Sequence, residues 1–172
     1  MLDDERARAG GAERARERAL REQAAEESTL AGTLRDLAES SVPVNVRTLA
    51  GRSHQGVVVG VGCDFCAVES ADRRWIYLAF AAIGSVRSSA GMVSTDPGSR
   101  RPQADRTLEE ALGYLAPERP RVTVLAGMDP QPVAGRLQSV GRDLMTVRLG
   151  GARGELCYVR LGALSEIAVE LD

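Results

Sequence analysis

Three cysteines and one histidine are the residues of this chain whose chemistry could support a metal or redox site. Cys63 and Cys66 form a C-x-x-C pair, Cys157 lies far along the chain, and His54 is the single histidine. A structural zinc site needs four such ligands, and no second pair follows. Residues three apart on a strand also point to opposite faces of a sheet. The pattern therefore indicates core packing, with a metal or redox enzyme as the remaining alternative.

His54 lies in the polar segment Arg52-Ser53-His54-Gln55, which we expect to be a surface turn between two strands. Acid or base catalysis would then fall to carboxylates, which cluster in residues 2–28. The sequence has no Ser-His-Asp order, no G-x-S-x-G and no phosphate-binding loop. We therefore expect a protein that is not an enzyme and that needs no cofactor and no metal.

Aromatic residues are rare in this chain, and two of the six lie together beside a pair of arginines. Amphipathic aromatic side chains anchor interfaces and can stack on bases, and arginine supplies positive charge to either contact. Packing at the edge of a barrel is the alternative role. The predicted binding residues, taken from this segment and a similar one later in the chain, are Arg73, Arg74, Trp75, Tyr77, Tyr158 and Arg160.

The two segments that carry these residues are copies of one unit. Gly56, Val61, Gly62, Asp64 and Val68 recur 79 residues later as Gly135, Val140, Gly141, Asp143 and Val147, and Tyr77 recurs 81 residues later as Tyr158. A helix with leucines at i, i+4 and i+7 precedes each copy, starting at Ser28 or Thr29 in the first and at the capping box Thr107 to Glu110 in the second. The repeat predicts two units of one architecture.

Alternating apolar residues predict five short strands in each copy. The first copy has strands at about 44–50, 55–61, 64–69, 74–80 and 83–87, and the second at about 121–126, 133–140, 143–149, 155–161 and 164–169. On the fourth strand, Ile76 and Leu78 match Cys157 and Val159, so this face should point inward. The opposite face, with Trp75 and Tyr77, should be partly exposed or interfacial.

Four segments follow from the repeat. Residues 1–28 are a charged helical or disordered arm, 29–87 the first unit, 88–106 a flexible linker rich in Gly, Pro and Ser, and 107–172 the second unit. The charged N-terminus, the odd cysteine count and the lack of a long apolar run predict a cytoplasmic protein without a membrane segment. The net charge of −2 offers no overall basic surface for nucleic acid.

A helix, five strands and the pattern G-x-x-x-x-V-G-x-D, followed by Tyr-apolar-x-apolar, resemble the Sm-like superfamily, which includes Sm, LSm and Hfq proteins. The resemblance implies that each five-stranded sheet bends into a small barrel and that strand four of one protomer pairs with strand five of the next. It also implies RNA contacts at two turns. The matching turn residues here are Gly62, Asp64, Gly141, Asp143 and Gly162.

The expected fold is therefore mainly β with short helices: two tandem Sm-like units, each an N-terminal helix plus a strongly bent five-stranded antiparallel sheet, preceded by the charged arm. The expected function is a non-catalytic binding and assembly module, an adaptor that contacts protein partners or self-associates through strand edges, with RNA as one candidate partner. The alternative is an RNA chaperone resembling Hfq. No membrane and no small-molecule substrate are expected.

Overall fold

The computed structural model describes residues 16, 17, 19, 28–88, 105–127, 131–150 and 154–170. The chain divides into two units, Met1–Thr33 and Leu34–Asp172, and every strand described lies in the second. Residues 16, 17 and 19 of the predicted arm are helical. The rest of that arm up to residue 27, and residues 89–104 of the predicted linker, lie outside the described residues.

Two α-helices, α1 (Leu30–Glu39) and α2 (Leu108–Leu115), lie in the described part of the chain and begin where the sequence predicts. The Thr29 hydroxyl accepts a hydrogen bond from the Gly32 amide at 3.0 Å. Thr107 and Glu110 form the predicted capping box, in which each side chain accepts from the other residue's amide, at 3.3 and 2.9 Å. These caps satisfy amides that no helical carbonyl can reach.

The ten strands lie close to the predicted positions. In the first copy they are β1 (Pro43–Thr48), β2 (Ser53–Val61), β3 (Phe65–Ser70), β4 (Trp75–Ala79) and β5 (Ile83–Ser88). In the second they are β6 (Arg121–Ala126), β7 (Val133–Val140), β8 (Leu144–Leu149), β9 (Leu156–Arg160) and β10 (Leu164–Glu170). A single 3₁₀ turn links β4 to β5, and another links β9 to β10.

The strands form one continuous antiparallel sheet in the order β5-β1-β2-β3-β4-β10-β6-β7-β8-β9. The predicted fold class, two tandem Sm-like units with separate five-stranded bent sheets, is therefore wrong. The reason is the pairing of β4 with β10, which carries the ladder from one copy into the other. Strand pairing between distant segments leaves no mark on the repeat that predicts the two units or on the local apolar period that predicts the strands.

Within this single sheet the two copies share their irregularities. The β2–β3 register shifts between Val58 and Gly60, and the β7–β8 register shifts at the equivalent Leu137 and Ser139. Such shifts bend a strand and increase its twist. Gly56 and Gly135 are also equivalent, since a Cβ at either would lie 2.1 to 2.2 Å from a carbonyl oxygen of the neighbouring strand. The repeated glycines are thus required by close backbone approach.

Two hydrophobic cores lie along the sheet. The first belongs to the first copy and includes Leu34, Val46, Val68 and Leu78. The second is centred on the second copy but also takes in three residues of the first: Phe65, Ala67 and Tyr77. The second core is therefore completed by the first copy, which is a further reason why the two repeats are not separate units.

Candidate interaction site at the sheet edges

The junction between the copies shows how one repeat of this chain joins another. Strand β4, the fourth of the first copy, pairs with β10, the fifth of the second, with Tyr77 opposite Ile167 and Ile76 opposite Ala168. This is the strand pairing that the resemblance implies between protomers. Here it occurs within one chain, and we call it the internal junction.

The outer face of β3 and β4 is buried at this junction. Tyr77 is 6% exposed and Phe65 is 6% exposed, and their ring centroids lie 5.8 Å apart. Burial raises the pKa of the Tyr77 hydroxyl. Trp75 is half-buried, with its ring centroid 6.4 Å from that of Tyr77. This face is expected to be partly exposed or interfacial, and Tyr77 lies at the interface between the copies, because the core of the second copy packs on it.

The N-terminus of α2 packs against the predicted turn residues Gly62 and Asp64. The Asp64 carboxylate accepts a hydrogen bond from the Leu108 amide at 2.8 Å, and the Cys63 amide donates to the Arg106 carbonyl at 2.9 Å. A Cβ at Gly62 would lie 2.5 Å from the Arg106 oxygen. A carboxylate at a helix N-terminus is favourable, because free amides and the positive end of the helix dipole meet it there.

A polar cluster around the buried carboxylate of Glu166 also spans the internal junction. His54 Nε2 lies 2.7 Å from one oxygen of Glu166, and Arg52 Nε lies 2.8 Å from the other. His54 is buried on β2, so the expectation of a surface turn is wrong. The repeat shows no such cluster at the equivalent positions, which hold Gln131, Val133 and Ser85. Sequence reasoning missed it because His54 and Glu166 are 112 residues apart.

Among the described strands, two have a neighbour on one side only: β5 at one end of the sheet and β9 at the other. Strand β9 is the repeat equivalent of β4, and β5 is the repeat equivalent of β10. The two strands that meet at the internal junction therefore have their counterparts at the two edges of the sheet. Unpaired edges offer backbone donors and acceptors to a further strand.

The outer face beside β9 is apolar and exposed. Leu144, the equivalent of Phe65, is 38% exposed, and Tyr158, the equivalent of Tyr77, is 66% exposed. Leu156 holds the place of Trp75 and is exposed as well. Arg160 is exposed on the same strand, and its side chain lies close to Gly162: a Cβ atom at that glycine would be 3.8 Å from the Arg160 Nε. The structure thus brings the predicted residues Tyr158, Arg160 and Gly162 together at one edge.

The second turn, with Gly141 and Asp143, has the backbone geometry of the first. The Gly141 amide donates to the Leu144 carbonyl at 2.8 Å, the distance of the equivalent bond from Gly62 to Phe65. A Cβ at Gly141 would meet nothing closer than 3.5 Å. Asp143 is exposed, and no helix begins at its carboxylate in the described residues. The place that α2 occupies in the first copy is therefore open in the second.

The predicted arginines Arg73 and Arg74 lie in the turn between β3 and β4, away from Tyr158 and Arg160 in the sequence and on a different strand pair. Arg74 forms an ion pair with Asp72, with Nε donating at 2.6 Å. Hydrogen bonds from Ser70 and Arg74 lower the pKa of the Asp72 carboxyl. Arg73 holds a positive φ of 59°. These contacts give Arg74 a structural role in closing the turn.

The cysteines do not form a site in the described residues. Cys66 is buried, and burial raises the pKa of its thiol to about 12, whereas Cys63 is exposed. The two belong to a turn and a strand and face different surroundings. Among the described residues, no group of three His, Cys, Asp or Glu side chains lies close enough to hold a metal ion.

Comparisons with known proteins add no assignment. No protein-family model matches the chain, and no curated protein matches it with significant similarity. In the part of the chain that the structure describes, no helix is long and apolar enough to cross a membrane.

Proposed function

We propose that this protein is an assembly module whose copies join head to tail, with β9 of one copy pairing with β5 of the next. The observation that carries the proposal is the internal junction, where the repeat equivalents of these two strands already pair. The two strands that form the internal junction have counterparts at the two edges of the sheet. The chain therefore has both surfaces that a heterologous contact between copies needs.

Exposed apolar residues support the same pairing on both partners. On the β9 side, Leu144 and Tyr158 are exposed where Phe65 and Tyr77 are buried. On the β5 side, Ile83 and Val86 are only half-buried, whereas their equivalents Leu164 and Ile167 are buried, and Ile167 lies opposite Tyr77 at the internal junction. Joining two copies in this way would remove apolar surface from water on each, which is favourable at roughly 25 cal/mol per Å².

The second turn supports the geometry further. Asp64 and Gly62 receive the beginning of α2 at the internal junction. The N-terminus of α1 of the next copy would pack against Asp143 and Gly141 in the same way. Edge pairing, apolar contact and helix capping would then act together, which makes an extended interface rather than a single strand contact.

A heterologous contact closes into a ring or continues as a filament, according to the rotation between copies. Either form presents many copies of the same surface, which is what an adaptor for protein partners requires. The resemblance to Sm-like proteins, and RNA binding as an adaptor or as a chaperone, remain predictions. The described contacts favour assembly, because they supply an internal template for it.

The size of the protein in solution, measured by sedimentation over a wide concentration range, tests the proposal. Tyr158→Asp should shift the protein toward monomer, because it places a charge in the interface. Tyr114→Asp is the matched control, since Tyr114 is 67% exposed on α2 and lies off the sheet edges. A wild-type protein that stays monomeric at every concentration would overturn the proposal.

A glycine pair tests the helix contact separately. Gly62→Ala should destabilise the folded chain, because the new Cβ would clash with the Phe65 ring and the Arg106 oxygen. Gly141→Ala should leave the stability of the isolated chain unchanged and weaken the assembly. An assembly that Gly141→Ala leaves as strong as that of the wild-type protein would show that the second turn does not bind a helix as the first turn does.

A further inference from the structure

A row of arginines crosses three neighbouring strands of the second copy. Arg121 lies opposite Arg136, and Arg136 lies opposite Arg148, so the three side chains share one face of β6, β7 and β8. All three are exposed. Their inward neighbours Val122 and Leu137 are buried, which fixes the arginines on the outer surface. We call this set the arginine row.

The charges of the arginine row are poorly balanced. None of the three arginines forms an ion pair with an acid among the described residues. Of the acids that the structure describes, Glu170 is the one that lines the groove with the row, and it lies opposite Arg121. Like charges directly opposite one another on neighbouring strands destabilise a sheet. The row therefore costs stability in the free protein, and an anion that bound it would recover that cost.

The arginine row lines a groove of about 350 Å³. Neighbouring strands lie about 4.8 Å apart, so the three side chains start from points spread over roughly 10 Å. Thr123 and the side-chain-free Gly150 also line the groove. Arg136 Nη1 donates to the Arg119 carbonyl at 3.3 Å, which orients that guanidinium beside the row. The groove thus combines space with three guanidinium groups, one of which is oriented by a backbone hydrogen bond.

The first copy serves as an internal control for the arginine row. The positions equivalent to Arg121, Arg136 and Arg148 are occupied by Pro43, Val57 and Glu69. The shared architecture therefore does not require arginine at these places. The row is a property of the second copy alone, and it reaches the strand next to the β9 edge, where Arg148 lies opposite Leu156.

We propose that the arginine row binds the phosphate groups of a polyanionic chain. Guanidinium groups match phosphate in planar, two-pronged hydrogen bonding, and successive phosphates of a flexible chain can engage successive arginines. Single-stranded RNA and inorganic polyphosphate both carry this chemistry. The site lies on the outer faces of strands, away from the turns at Gly62 and Gly141, and it does not depend on the proposed assembly.

Fluorescence anisotropy with labelled dodecauridylate, and calorimetry with inorganic tripolyphosphate, test the site. The double variant Arg136→Gln, Arg148→Gln is compared with Arg35→Gln, Arg47→Gln, which removes the same charge from exposed positions of the first copy. We expect the first variant to lose at least tenfold in affinity for one or both probes. The logarithm of the binding constant for the oligonucleotide falls linearly with the logarithm of the salt concentration. The first variant should make this slope shallower by about 1.4, at roughly 0.7 per lost phosphate contact.

Each outcome of this comparison has one meaning. Binding of tripolyphosphate that is lost in the first variant supports a site for phosphate groups alone, and binding of dodecauridylate only supports a site for the RNA backbone. Equal losses in both double variants would show nonspecific attraction and overturn the proposal. The proposal also fails if neither probe binds wild-type protein at low salt. Circular dichroism should show that both double variants are folded.

Discussion

Two tyrosines at equivalent positions should respond in opposite ways to the same substitution. Tyr77 and Tyr158 share their place on the fourth strand of each copy, but Tyr77 is 6% exposed and Tyr158 is 66% exposed. Truncating a buried aromatic residue to alanine costs about 3–5 kcal/mol, whereas exposed positions change stability by about 0.5 kcal/mol or less. Tyr77→Ala should therefore weaken folding strongly, and Tyr158→Ala should not.

The effect on assembly should be the reverse. If the next copy buries Tyr158 as the second core buries Tyr77, roughly 100 Å² of its surface leaves water, which is worth about 2.5 kcal/mol. Tyr158→Ala should then raise the dissociation constant on the order of 50-fold. Urea unfolding at low protein concentration, followed through the fluorescence of the single Trp75, measures stability, and sedimentation measures association. Equal destabilisation by the two substitutions, or no effect of Tyr158→Ala on association, would refute the reasoning.

Three further substitutions test the described contacts. Burial raises the pKa of the Cys66 thiol from 9.0 to about 12. The stability that depends on the protonated thiol should therefore be complete below pH 9 and decline as the pH rises toward 12. The decline should reach up to about 1.4 kcal/mol per pH unit. Cys66→Ala should remove that part of the pH dependence, and iodoacetamide at pH 8 should modify Cys63 but not Cys66 in the folded protein. Glu166→Ala should cost about 1–3 kcal/mol in urea unfolding because it leaves the buried His54 without its hydrogen-bond partner. Ser85→Ala at the equivalent exposed position should cost less than about 0.5 kcal/mol. Thr107→Ala should cost about 1 kcal/mol by removing the capping box of α2, and an unchanged unfolding midpoint would contradict that role.

Local features of the fold were predictable from the sequence. Alternation of apolar residues marked the strands to within about two residues, as for β6 and β7, and the Thr107 to Glu110 spacing marked the start of α2. These signals depend on neighbours in the chain. Cys66 was expected in the core because Met145 holds its place in the other copy, and it is buried.

Contacts between distant segments were not predictable. His54 was placed in a surface turn because its partner Glu166 is 112 residues away. The alternation within β4 marks the face of Tyr77 as partly exposed or interfacial, but it does not identify the second core that buries this residue. The separation into two units failed for the same reason, since the β4–β10 ladder has no local signal. The arginine row also escaped notice, because strand register alone brings its members together.

A disulfide test addresses the proposed assembly most directly. In the register of the internal junction, Ile76 lies opposite Ala168, so Cys157 of one copy would lie opposite Arg87 of the next. Directly opposed residues in an antiparallel pair have Cα atoms about 4.5–5.5 Å apart, which suits a disulfide. Arg87→Cys is introduced after Cys63→Ser and Cys66→Ala, with Ser85→Cys in the same background as the control for register.

The account predicts that mild oxidation of the Arg87→Cys protein gives a ladder of covalent dimers and larger species on a non-reducing gel, and that Ser85→Cys gives little. A protein that stays monomeric on this gel, or equal crosslinking of the two variants, would contradict head-to-tail pairing of β9 with β5.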